Sequence, residues 1–108
     1  MAQNFRRYQA RNIGTSASTM FTSNSYDTVI GINVANVTTS SINISCYVTT
    51  GGSDYYVAKD VPVPVGSAIQ LLDGGAKMVV ESGDALKIVS DTATSADAWV
   101  STVDDIST

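Results

Sequence analysis

The residues that could carry chemistry are few, and their spacing suits none of the common reactions. Histidine is absent and Cys46 is the only cysteine, so the chain has no internal disulfide, no zinc spacing and no imidazole for acid–base work. Cys46 falls on the apolar phase Ile42, Ile44, Cys46, Val48, where a small core hydrophobe is expected and no basic neighbour is in view to make a thiolate. The run Asp73-Gly74-Gly75-Ala76-Lys77 sets glycines beside a lysine but lacks phosphate-loop spacing and a following helix, and reads as a hairpin turn. Asp104 and Asp105 are adjacent carboxylates in a terminal tail, not across a cleft. Asp84, Asp91 and Asp97 could line one end of a β-fold and hold calcium, but no ligand spacing supports it. The expectation is a non-enzyme without cofactor or metal.

The elements that would position these residues are strands. From Thr28 to Thr49, Ile30, Ile32 and Val34 recur at every second position, Thr38 to Ser41 interrupts, and Ile42, Ile44, Cys46 and Val48 recur again. This period predicts two half-buried strands, read here as an antiparallel hairpin. Gly31, inside the first, signals a bulge or a close backbone approach. Before the pair lie Asn4 to Ile13, extended but poorly amphipathic, and a short strand over Thr19 to Thr22. After it come a strand from Asp54 to Lys59 and the segment Asp60 to Gly66, whose two prolines confine it to an edge or a crossing. Ala68 to Leu72, Ala76 to Glu81 and Ala85 to Ser90 follow as strands, the last with Leu86 and Ile88 inward and Lys87 outward. In the final strand, Ala96 to Val103, either the small residues face inward and Trp99 outward, or Trp99 and Val103 face inward; both leave apolar matter on two faces. Eight or nine short strands with turns between them predict an all-β antiparallel sandwich, jelly-roll-like, with its core at Ile30, Ile32, Val34, Ile42, Ile44, Val48, Leu86 and Ile88.

With 108 residues the chain is one domain, and 44% apolar against 15% charged residues argues for a folded body rather than disorder. It divides into a basic arm or edge strand over 1–12, the sandwich over 13–103 and an acidic tail over 104–108. Charge is unevenly placed. Residues 1–26 hold Arg6, Arg7 and Arg11 and no acid, whereas the remainder holds three lysines against ten acids, so +3 precedes −7 within the net −4. Such an arm suits an acidic neighbour, for instance another copy, and three arginines ahead of an acidic body do not argue for nucleic acid. The candidate contact residues are Phe5, Arg6, Arg7, Tyr8 and Arg11 in the arm, the pair Tyr55 and Tyr56, of which one must face out, and Trp99 and Val103 in the last strand. A basic N-terminus without a following apolar run, and no stretch of membrane-span length, lead to the expectation of a protein made in a cytosol and used there or released by lysis.

The segments RRYQARNIGTSASTMFT, IGINVANVTTSSINISCYV, YYVAKDVPVPVGSAIQLLDGGAKMVVESGDALKIVSDT and ADAWVS resemble small virion structural proteins of tailed bacteriophages of the marine cyanobacterial type. That resemblance implies a non-enzymatic virion component, assembled in the host cytoplasm, partnered by itself and by major capsid or tail proteins, and carrying no ligand residues. A capsid decoration or cement role is the leading expectation. The alternatives are a tail, neck or fibre component, or a lectin-like module that binds a cell-surface glycan. The loop tips 38–41, 51–53, 73–75 and 91–95 carry no aromatic residue, which favours assembly over sugar binding.

Overall fold

The computed structural model describes residues 4–23, 27–72 and 78–104. Among the described residues, nine strands form two antiparallel sheets. They are β1 (Asn4–Ile13), β2 (Ser18–Thr22), β3 (Asp27–Asn36), β4 (Ile42–Thr50), β5 (Ser53–Val63), β6 (Ala68–Leu72), β7 (Met78–Val80), β8 (Ala85–Ser90) and β9 (Ala96–Asp104). The larger sheet has the order β1-β9-β3-β6, with β7 also paired to β3, and the smaller has the order β2-β8-β4-β5. Their inner faces meet in a core that includes Val29, Ile32, Val34, Ile44, Leu86, Ile88 and Val100, all fully buried. The all-β sandwich is the architecture that the period-two patterning predicts.

The expected β3–β4 hairpin is not formed, because β3 lies in the larger sheet and β4 in the smaller. Each strand buries one apolar phase, and facing one another across the core satisfies that pattern as well as pairing side by side. Asn36 directs the chain across. Its Nδ2 donates to the carbonyls of Ser40 (2.7 Å), Val63 (3.0 Å) and Pro64 (3.3 Å), while its Oδ1 accepts from the Thr38 N–H and Thr38 Oγ1, both at 2.8 Å. One buried amide thus folds the 37–41 loop and fastens it to the end of β5 in the opposite sheet.

Ile30 is not a core residue. The β3–β9 register shifts between Val29 and Gly31, so Val29 and Ile32 point inward and Ile30 is turned to the outer face, half-buried. Val48 packs against the core while remaining half-exposed. The turn expected at 73–75 lies outside the described residues, but the strands around it do not return on one another. Both β6 and β7 run antiparallel to β3 along the same edge, β6 opposite Ile32 to Ala35 and β7 opposite Asp27 to Val29. Pro62 sits, as its missing donor requires, in an edge strand, opposite Asn43.

β1 is the other edge of the larger sheet, paired with β9 from Asn4 to Ala10 and again at Ile13. It is more deeply engaged than its mixed pattern suggests: Tyr8 stacks on Phe21 with centroids 4.5 Å apart, Ala10 packs on the core and Ile13 is buried. A cluster of buried hydroxyls holds its far end. Ser95 Oγ lies 2.5 Å from Ser90 Oγ and donates to the carbonyls of Thr92 (2.7 Å) and Ile13 (3.3 Å), while the Ser90 N–H donates to the Gly14 carbonyl at 2.9 Å. Gly14 lets the two segments approach closely, since a Cβ would meet the Thr94 nitrogen at 3.3 Å and Ala93 Cα at 3.4 Å, a fit that requires a small shift of the 93–94 backbone.

Candidate assembly surface

β9 settles the choice of faces. Ala96, Ala98, Val100 and Thr102 are buried, Trp99 is 45% exposed, and Val103 faces outward half-buried. Because β9 is central, its outer residues are flanked on both sides. Register places Phe5 beside Val103, Val103 beside Thr28 and Thr28 beside Val79, so one row crosses four strands. Its two ends are the most exposed, Phe5 at 71% and Val79 at 64%. Ile30 joins Phe5 and Arg7 around a neighbouring depression. A second row runs Gln9, Trp99, Asn33, Gln70. The two rows turn a solvent-facing sheet into an apolar and amide-bearing surface, where an isolated sandwich would carry mostly charge.

Arg7 lies on this surface with its guanidinium carbon 5.2 Å from the Trp99 ring centroid and donates to Gln9 Oε1 at 3.1 Å. The contact keeps the cation over the indole, which limits the entropy lost when a partner covers both. Arg6 and Arg11 are exposed on the same edge strand, and Arg11 lies with Asp97 and Trp99 around a shallow pocket of about 350 Å³. Tyr8 is not part of the surface; its ring belongs to the stack on Phe21.

Tyr55 and Tyr56 lie elsewhere, on the β5 edge of the smaller sheet, and both face solvent at 63% and 50%. Tyr56 tilts against Tyr47 at 5.1 Å and receives Lys59 Nζ at 5.1 Å from its centroid. Burial, then the nearby Asp54 carboxylate and Tyr56, raise the pKa of Tyr47 above the ordinary phenol value. Tyr55 lines a groove of about 370 Å³ between the edges of the two sheets, with Val48, Val57, Met78, Val79 and Asp84. The nine predicted contact residues therefore separate into the larger sheet's outer face and edge, a stack against the core, and a groove that meets the outer row at Val79. Ile30 and Val79 escaped the sequence reading. Val79 was legible as the outward phase of a strand whose inward phase is Met78 and Val80; Ile30 was hidden by the bulge.

The carboxylates considered for calcium do not converge. Asp84 and Asp91 stand beyond opposite ends of β8, and each aspartate is engaged by a backbone N–H: Asp84 Oδ2 accepts from the Glu81 N–H at 3.0 Å, Asp91 Oδ1 from the Asn43 N–H at 3.1 Å, and Asp97 Oδ1 from the Asn12 N–H at 3.0 Å. The Asn43 N–H, aided by the Thr92 hydroxyl and the Asn43 amide, holds the Asp91 carboxyl below the usual range. Burial pushes the Cys46 thiol up to about 12, which leaves it a core hydrophobe.

The fold and surface of the described residues define a nine-stranded antiparallel β-sandwich whose larger sheet carries apolar and amide side chains on its outer face. No protein-family model matches the chain, and no curated protein is similar to it in sequence. Among solved structures, a chain of Bacillus endospore appendages, described as "a novel family of disulfide-linked pili", is similar in fold: 16% identity, TM-score 0.56, covering 94% of this chain and 84% of that one.

Proposed function

We propose that the protein is a non-enzymatic structural component that works in many copies on a larger particle or fibre, contacting its neighbours through the outer face of the larger sheet. The observation that carries this is the Phe5–Val103–Thr28–Val79 row beside Trp99 and Arg7, because burying apolar residues that a single sandwich leaves in water stabilises association. The pilus-forming neighbour supports a multi-copy role for this sandwich. Those pili are disulfide-linked, whereas the only thiol here, Cys46, is buried, so contacts between copies would be non-covalent. The resemblance to tailed-phage virion proteins supports placing the copies on a phage particle, with capsid decoration as the leading position and tail, neck or fibre as the alternative.

Two measurements test this together: light scattering of the purified protein across a concentration series, and mass spectrometry of gradient-purified particles from the producing lysate. The expected result is a mass above the monomer, the chain in particles, or both. A protein monomeric at every concentration and absent from particles would refute the reading. One observation favours a second reading: Gln9, Asn33 and Gln70 set planar amides in line with the Trp99 indole, chemistry suited to a pyranose of a cell-surface glycan. Glycan-array binding that is lost in Trp99→Ala and retained in Phe5→Ala would support it.

A further inference from the structure

Resting on the multi-copy reading, we propose that the copies associate head to tail: the Phe5–Arg7 edge of one copy docks in the groove between β7 and β5 of the next. The two patches sit on opposite edges of the larger sheet, since β1 and β7 are the outermost strands of the Phe5–Val79 row. Three strand spacings separate them, about 14 Å, so Phe5 does not fill its own molecule's groove. Each patch presents what the other lacks. The β1 edge offers a 71% exposed aromatic ring and the cations Arg7 and Arg11, with no acid between Asn4 and Ile13. The groove offers half-buried Val48, Val57 and Met78 for an apolar ring. Asp84 lies in its lining and supplies a carboxylate, of which Oδ2 accepts the Glu81 N–H. Lys59 is turned onto the Tyr56 ring.

Charge selects this arrangement over face-to-face pairing of two larger sheets. Face to face, Arg7 and Arg11 of each copy would meet the Arg7 and Arg11 of the other, with Asp97 the one acid described on that face. Antiparallel pairing of β1 with its own copy centred on Arg7 would set guanidinium against guanidinium. An aromatic and cationic edge entering an apolar groove with Asp84 in its lining joins unlike surfaces, and such a contact adds copies without limit unless its rotation closes a ring.

The test uses full-length chains mixed in pairs. Phe5→Ala removes the inserted ring and Tyr55→Lys/Val79→Lys sets two cations in the groove to repel the arginines; all three positions are more than half exposed, so melting temperatures near wild type are expected and are checked first. Wild type is expected to grow past the dimer with concentration and to shrink in high salt. Each variant alone is expected to associate about thirtyfold more weakly or worse, as for loss of a central contact. An equimolar mixture is expected to form one-to-one dimers and stop, since one intact edge meets one intact groove. A wild type that stops at a dimer, a mixture that stays monomeric, or a variant that assembles like wild type would overturn head-to-tail docking. A wild type that is monomeric yet present in purified particles would overturn it while leaving the multi-copy reading standing.

Discussion

Replacing Asn36 by aspartate, a near-isosteric change of one amide to one carboxylate, tests how the two sheets are joined. In the native loop Nδ2 faces the carbonyls of Ser40, Val63 and Pro64, and Oδ1 faces two donors of Thr38. Asn36→Asp keeps the acceptor side and turns the donor into a second oxygen directed at three carbonyls, at a position 6% exposed. Each buried group left without a partner costs about 1–3 kcal/mol, so losing the two shortest amide bonds predicts about 2–4 kcal/mol for Asn36→Ala. Ionised aspartate should cost more, about 3–5 kcal/mol at pH 7, a large share of the roughly 5–15 kcal/mol a small domain has. The sign of the pH effect follows from the acceptors. Once protonated, the introduced carboxyl can donate to one carbonyl, so its folded pKa is raised above the unfolded value of about 3.9. The Asn36→Asp deficit is therefore smallest below about pH 3.9, grows as pH rises toward the folded pKa, and is constant above it. Urea unfolding of wild type and both variants, followed by circular dichroism from acid to neutral pH, measures this as a difference, which removes the background titration shared by all three. An Asn36→Asp protein as stable as wild type at neutral pH, or a deficit that shrinks with rising pH, would refute the assigned amide orientation and the bridge built on it.

Four further outcomes are expected. Val29→Asn should unfold the domain while Ile30→Asn is tolerated within about 1 kcal/mol, because the bulge puts the first in the core and the second on the outer face; chemical denaturation checks it. Thr102→Val should be neutral or stabilising by about 1 kcal/mol in thermal melts, since Thr102 Oγ1 is fully buried and has no hydrogen-bond partner among the described residues. Cys46, held up to about 12 by burial, should resist a thiol reagent at mildly alkaline pH in the native protein and react at once in urea. The Asp91 carboxyl, held low chiefly by the Asn43 N–H, contributes stability that is present above the unfolded carboxyl pKa and lost as pH falls through its depressed folded value; Asp91→Asn should flatten that acid-side loss in pH-dependent melts.

Much of the candidate surface could be read from residue types alone. Phe5, Trp99 and Val103 are apolar residues beyond what one face of a small core can use, and the arginines beside them lack acids in their own segment. What could not be read was their company. Trp99 acquires Gln9 on one side and Asn33 on the other only through pairing across long separations, and Arg7 finds the indole by the same route. Tyr8 looks like its neighbours in sequence, yet the short β2 strand places Phe21 beneath it and holds its ring half-buried against the core.

The period of two in β4 and β8, the prolines after Lys59 and the turn residues between runs were enough to establish an all-β chain, to place Ile44, Cys46, Leu86 and Ile88 inside, and to set the bounds of β6 and β8. These are local properties: alternation separates two faces of a strand wherever that strand lies. Tertiary structure alone decided that β3 and β4 belong to different sheets, that β6 and β7 share an edge of β3, that β3 changes phase at Ile30 and Gly31, and that the small residues of β9 face inward. Alternation does not name the strand to be paired or the register of pairing. Those depend on backbone hydrogen bonds between distant segments and on loops such as the one Asn36 folds, whose bonding partners lie up to 28 residues away.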